Sequence, residues 1–208
     1  MLMKKYFITG IGTDVGKTLV SAILAEALKA DYWKPIQSGS YPLTDTELVQ
    51  SLLSNSISKV HPEKYAFKQP VSPHAAAEAE GVIIQPKNIV LPETSNTLLI
   101  EGAGGVLVPI TDQFFIVDLI KKMEAEVIVV IRNYLGSINH SLLTIEALKN
   151  RDVGIKGLVI NGLPNEQSER IILAQSKIPL IFRLLPENKI DKEMVKRYTD
   201  KINISAFC

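Results

Sequence analysis

Short apolar runs rich in β-branched residues recur along the chain at residues 6–9, 97–100, 127–131, 158–160 and 180–182, and another short run ends at Trp33. Three to five such residues without polar alternation predict strands buried on both faces. Between them, over residues 17–28, 44–53, 115–123, 141–148, 170–175 and 192–198, apolar positions return at three- and four-residue spacing. That spacing predicts helices with one buried stripe. Strand and helix alternate throughout, which implies right-handed crossovers and an α/β fold: a mostly parallel sheet with helices on both faces. Ligands of such sheets collect at the carboxyl ends of the strands, so the loops there are where function is sought. The Pro-containing stretches at 70–73 and 85–92 read as loops. No repeat, low-complexity tract or linker divides the sequence, and residues 1–208 are expected to form a single domain.

The first strand runs straight into Gly10-Ile11-Gly12-Thr13-Asp14-Val15-Gly16-Lys17-Thr18, and a helical pattern opens at Leu19. Strand, glycine loop and helix in that order form a phosphate cradle. Glycines let several backbone N–H groups point inward, and the helix start adds partial positive charge. Lys17 is placed to reach the β- and γ-phosphates, and the Thr18 hydroxyl to ligate Mg²⁺. The strict form of the motif has glycine where this chain has Ile11, so the match is a variant, P-loop NTPase-like in its setting.

Phosphate chemistry also needs acidic groups for a metal and cations for the group that receives the phosphoryl. Thr97-Leu-Leu-Ile-Glu101-Gly102-Ala103-Gly104-Gly105 reads as an apolar strand ending in a carboxylate and a glycine-rich turn, and Glu101 suits a Mg²⁺ site. Trp33-Lys34-Pro35-Ile36-Gln37-Ser38-Gly39-Ser40 sets a lysine and hydroxyls beside the phosphate loop. Lys34 suits a transferring phosphate or a carboxylate-like substrate, and a solvated lysine before a turn fits that segment equally well. Asp45 fits an ordinary acidic residue at a helix start. Asn161-Gly162 follows another strand, where an asparagine can read a purine edge; the guanine-reading Lys-x-Asp does not follow, which favours ATP.

Composition narrows the classes further. Lys plus Arg is 23 against 22 for Asp plus Glu, a net charge of +1, so no global field attracts nucleic acid or an anionic membrane. The one cysteine, Cys208, excludes an internal disulfide framework or thiol nucleophile and fits a reducing cytoplasm. The apolar runs are too short to span a bilayer, and the start lacks the apolar core and cleavage site of a signal peptide. His61, His74 and His140 are too scattered for a metal site.

Five blocks in order, Gly12-Thr-Asp-Val-Gly-Lys-Thr18, Lys34-Pro-Ile-Gln-Ser-Gly39, Pro70-Val-Ser-Pro-His74, Glu101-Gly-Ala-Gly-Gly105 and Gly136-Ser-Ile-Asn-His140, resemble the signature of dethiobiotin synthetases. The resemblance implies ATP-driven insertion of CO₂ between the two amines of 7,8-diaminopelargonate, with Mg²⁺ as cofactor. It implies Lys34 and Lys17 as catalytic lysines and Thr18, Asp45 and Glu101 around the metal. The nucleotide would meet Thr13, Asp14, Val15, Gly16, Lys17, Thr18 and Leu19. Asp45, Glu101, Gly102, Ala103 and Gly104 would complete that set, with Asn161 and Gly162 at adenine. Thr13 and Ser38 would touch the diamine, whose carboxylate tail would be held by Gly136, Ser137 and Asn139 of a second subunit, making a homodimer. One departure is Phe182-Arg183-Leu184-Leu185-Pro186, where family members often carry Gly-Glu-Ile/Leu-Pro. The competing reading is a partition-type P-loop ATPase, a nucleotide switch acting on a protein partner.

Overall fold

The computed structural model describes residues 3–39 and 42–207. The Ser40 hydroxyl and Cys208, both used above, lie outside them. In chain order the elements are β1 (Lys5–Gly10), α1 (Lys17–Leu28), β2 (Asp31–Trp33), β3 (Ile36–Ser38), α2 (Asp45–Leu52), β4 (Val60–His61), β5 (Tyr65–Phe67) and α3 (Pro73–Ala79). They continue with β6 (Leu98–Gly105), β7 (Pro109–Thr111), β8 (Phe114–Phe115), α4 (Ile116–Met123), β9 (Glu126–Arg132) and α5 (Ser137–Lys149). The last are β10 (Ile155–Asn161), α6 (Glu166–Ser176), β11 (Leu180–Leu184) and α7 (Lys192–Thr199).

Among the described residues, seven strands form one sheet in the order β11-β10-β9-β1-β6-β2-β4, every pairing parallel. Phe7, Ile8, Leu98–Ile100 and Val127–Ile131 are fully buried, as the unbroken apolar runs require. From β1 the chain crosses through α1 toward the β4 edge; from β6 it crosses through α4 back over β1 to β9. Right-handed crossovers in opposite directions put α1 and α2 on one face of the sheet and α4, α5 and α6 on the other. α7 returns to pack on α1. The neighbours β1 and β6 therefore lead away in opposite directions, and a crevice opens between their carboxyl ends. The glycine loop and Glu101 lie at that crevice.

Four expectations are corrected here. β6 continues through Glu101 to Gly105 instead of ending at the carboxylate. Its glycines permit a close approach: a Cβ on Gly102 would sit 2.7 Å from the Phe7 ring. Residues 70–73 are a loop only as far as Ser72, since Pro73 opens α3, where its missing N–H costs nothing. Residues 85–92 contain a single 3₁₀ turn, Pro86–Asn88. α5 and α6 each start four residues earlier than the apolar stripe indicated, at Ser137 and Glu166, because their first turns are polar and α6 is capped by the Asn165 side chain.

One buried carboxylate ties α1 to the segment after α2. Glu26 accepts hydrogen bonds from Ser54 N (2.8 Å), Asn55 N (3.1 Å), Asn55 Nδ2 (2.9 Å) and Lys29 Nζ (3.2 Å). Burial alone would raise its pKa, but these donors outweigh it and hold the group at about 2, against an ordinary 4.5. A depressed folded pKa means stability that is present above the unfolded value and lost as pH falls through the folded one. Glu26→Gln is expected to cost about 1–2 kcal/mol at neutral pH. In urea titrations at stepped pH, the gap from wild type should close as pH drops below about 4.5 toward 2.

Candidate functional site

The loop between β1 and α1 wraps a cavity of about 660 Å³. Ile11, where the strict motif has glycine, turns its side chain into the core, and its N–H donates to Val130 O at 3.1 Å. The isoleucine side chain therefore packs away from the cradle and does not fill it. Gly16 caps α1 at φ 96°, a left-handed conformation that only glycine takes freely. From behind, the Asn161 side chain donates to Val15 O at 2.8 Å and an Arg132 N–H donates to Asp14 O at 3.1 Å, so strand ends brace the loop. Lys17, 7% exposed, donates to Gly12 O at 3.1 Å. Burial is the main influence on it and lowers its pKa.

Four segments converge on the cavity floor. Thr18 Oγ1 lies 2.6 Å from Asp45 Oδ1 and 2.9 Å from Glu101 Oε1. Lys34, at the end of β2 and 4% exposed, pairs with Asp45 and donates to Glu101 Oε1 at 3.0 Å. Burial works to lower the Lys34 pKa, yet the carboxylates of Glu101 and Asp45 outweigh it and the pKa is raised. Asp45 is likewise lowered, its burial overcome by Lys34. Asp45 is held in place because α2 begins with a capping box between Thr44 and Glu47, while the Asp45 N–H donates to Gln37 Oε1 at 3.3 Å.

A hydroxyl has one proton, so Thr18 can donate to only one of the two carboxylates beside it. The arrangement has more oxygen acceptors than donors, all hard ligands, and faces the phosphate loop. These residues fit a divalent cation that keeps waters and phosphate oxygens in its shell, as Mg²⁺ does.

The AAA domain family model matches residues 4–194. The ATP-dependent dethiobiotin synthetase BioD of Cytophaga hutchinsonii is 56% identical over 201 residues, 96% of this chain and 97% of that protein. The protein of the same name from Christiangramia forsetii is 50% identical, with 95% of each chain covered. That from Chlamydia pneumoniae is 42% identical over 96% of this chain and 89% of its own. The chain belongs to the dethiobiotin synthetase family. Among solved structures, a plasmid partition protein from Borrelia burgdorferi bound to AMPPNP aligns with a TM-score of 0.62 at 12% identity, covering 99% of this chain and 98% of its own. A ParA family ATPase from Chlorobium tepidum follows at 0.58 and 13%, covering 96% and 92%. At such identities the likeness shows the P-loop fold alone, and the partition-type reading is not favoured beside relatives at 42–56%.

Of the residues named from the sequence, Thr13, Asp14, Gly16, Lys17, Thr18, Lys34, Ser38, Asp45, Glu101, Ala103 and Gly104 all line the one cavity. Val15 and Leu19 do not; their side chains pack into or against the core. Gly102 lies under the Phe7 ring, and Asn161 and Gly162 stand behind the loop. Gly136, Ser137 and Asn139 are at the start of α5, beside a second cavity of about 540 Å³ lined by residues 11–15, Arg132, Asn133, Tyr134 and His140. They do not line the first cavity.

Sequence reasoning quoted Gln37 and residues 70–73 within the signature blocks but gave them no site role, and gave none to Val108; all of them line the cavity. It also missed Ser21 and Tyr32, both bonded to Glu101. Both were detectable from spacing: Ser21 is one helical turn beyond Thr18, and Tyr32 is two residues before Lys34, on the same side of an extended segment.

Proposed function

We propose that this chain is an ATP-dependent cyclo-ligase that closes 7,8-diaminopelargonate and CO₂ into dethiobiotin, releasing ADP and phosphate, in biotin biosynthesis. What carries the reading is the convergence of Lys17, Thr18, Lys34, Asp45 and Glu101 on one cavity wide enough for a triphosphate and a small diamine, in a chain of this family.

One amine of the substrate captures CO₂ as a carbamate, losing a proton. A carbamate oxygen then attacks the γ-phosphorus of ATP, and ADP leaves with the bridging oxygen. The resulting carbamic-phosphoric anhydride is attacked at carbon by the second amine; phosphate leaves, a proton is lost, and the urea ring closes. Lys34 neutralises the carbamate and the transferring phosphoryl group, and Lys17 the β- and γ-phosphates. Thr18, Asp45 and Glu101 would hold Mg²⁺, which when bound neutralises charge on the phosphate oxygens. Ser38, whose buried hydroxyl has no hydrogen-bond partner among the described residues, and Thr13 face the diamine. Asn161 and Gly162 border adenine. Gly136, Ser137 and Asn139 hold the carboxylate tail across a homodimer, consistent with their lying outside the first cavity. Among the described residues no helix is long and apolar enough to cross a membrane, and with the lone Cys208 this fits a cytoplasmic setting.

ADP release from MgATP and bicarbonate should require the diamine. Measured with and without 7,8-diaminopelargonate, turnover is expected only in its presence; equal release in both would replace this reading with a nucleotide switch.

A further inference from the structure

The Glu101 carboxylate is unusually fully engaged for a group facing a polar cavity, and its two oxygens are engaged differently. Oε1 meets Thr18 and Lys34, the two groups that open onto the cavity. Oε2 points the other way and accepts the Ser21 hydroxyl at 2.8 Å and the Tyr32 hydroxyl at 3.0 Å. Ser21 comes from α1 and Tyr32 from β2, and both residues are 0% exposed. We propose that Ser21 and Tyr32 are positioning residues: by engaging Oε2 from two elements they fix the Glu101 side chain so that Oε1 alone is presented to the divalent cation.

A carboxylate oxygen offers about two lone-pair sites, so two donors fill Oε2, whereas Oε1 keeps one site open when the single Thr18 proton goes to the nearer Asp45 Oδ1 at 2.6 Å, and Glu101 is left a monodentate ligand. The two hydroxyls are charge-assisted donors in a water-excluded environment, where such bonds are strong and a lost partner is costly. The geometry also couples the parts of the site. Ser21 is one turn beyond Lys17 and Thr18 on α1, and Tyr32 is two residues before Lys34. The same two elements that carry the lysines and the hydroxyl ligand therefore also aim the carboxylate between them. Outer-shell donors of this kind tune metal affinity by orienting the ligand.

The inference rests on Glu101 being a cation ligand, and the experiment separates the two. Mn²⁺ binding to the full chain in the presence of ADP is followed by the loss of the free-ion electron spin resonance signal, with thermal melts in the absence of Mn²⁺ as a separate measure of packing. Tyr32→Phe and Ser21→Ala, which delete one hydroxyl each, are each expected to weaken Mn²⁺ about 10-fold, and Glu101→Gln to abolish the protein-dependent binding. A lower melting temperature in both hydroxyl variants with wild-type Mn²⁺ affinity, while Glu101→Gln loses the ion, would overturn the positioning role and leave the ligand role standing. Unchanged affinity in Glu101→Gln would overturn both.

Discussion

Lys17→Ala is expected to reduce diamine-dependent ADP release by about 100- to 1000-fold while leaving the protein as stable as wild type or slightly more so. The loss follows from position. Lys17 is the one cation on the glycine loop itself, its ammonium held at Gly12 O where the loop closes over the cavity. Removing one preorganised donor from a site of developing charge costs on the order of 10²–10³ in rate. The unchanged stability follows from burial, which lowers the Lys17 pKa and marks the charge as a cost to the folded state. Function and stability pull apart at such a residue. Steady-state ADP release paired with a thermal melt checks both halves. Wild-type turnover would remove the loop from the mechanism, whereas a large drop in melting temperature would show that Lys17 serves the fold.

Much of the framework was legible because local and global preferences agree. The predicted helix at 17–28 coincides with α1, and unbroken apolar runs such as 127–131 lie at the centre of the sheet. Where they disagree, tertiary contacts decide. Glu101-Gly-Ala-Gly-Gly105 has turn composition, yet it pairs as strand because the absence of side chains at Gly102 and Gly105 lets Phe7 and the Gly10 carbonyl come close. β4 has two residues and β5 three, too short for any periodicity, and they exist only through partners at β2 and β3. At the site, each segment alone was ambiguous. Lys34 read equally well as a solvated charge, and Asp45 as a helix-start residue; what distinguishes them is that residues 11, 27 and 67 positions apart in sequence meet around one carboxylate and one hydroxyl. Convergence of that kind is a property of topology, and only the ordered five-block resemblance pointed to it beforehand.

Lys34→Ala is expected to act on chemistry and on stability together, in contrast to Lys17. With Lys34 gone, Asp45 and Glu101 flank Thr18 with no ammonium between them. Turnover should fall about 100-fold or more, since the proposed mechanism loses the cation it sets against the carbamate and the transferring phosphoryl. The unliganded protein should lose about 2 kcal/mol, less than a fully buried pair because the Asp45 side chain is 29% exposed and water can enter from the cavity. The sign with pH follows from both partners. Lys34, raised above its ordinary 10.5, contributes stability that is complete below that value and lost as pH rises through the higher folded pKa. Asp45, lowered from 3.8, contributes above 3.8 and loses its part as pH falls through the lower folded pKa. The deficit of the variant should therefore be flat through neutrality and shrink only toward the acid and alkaline extremes. Adding Mg²⁺ with ADP should restore more stability to the variant than to wild type, because a divalent cation gains two carboxylates that Lys34 no longer neutralises. Denaturant titrations with and without MgADP measure that difference. An equal gain in both proteins would mean that Lys34 and the cation do not answer the same two charges.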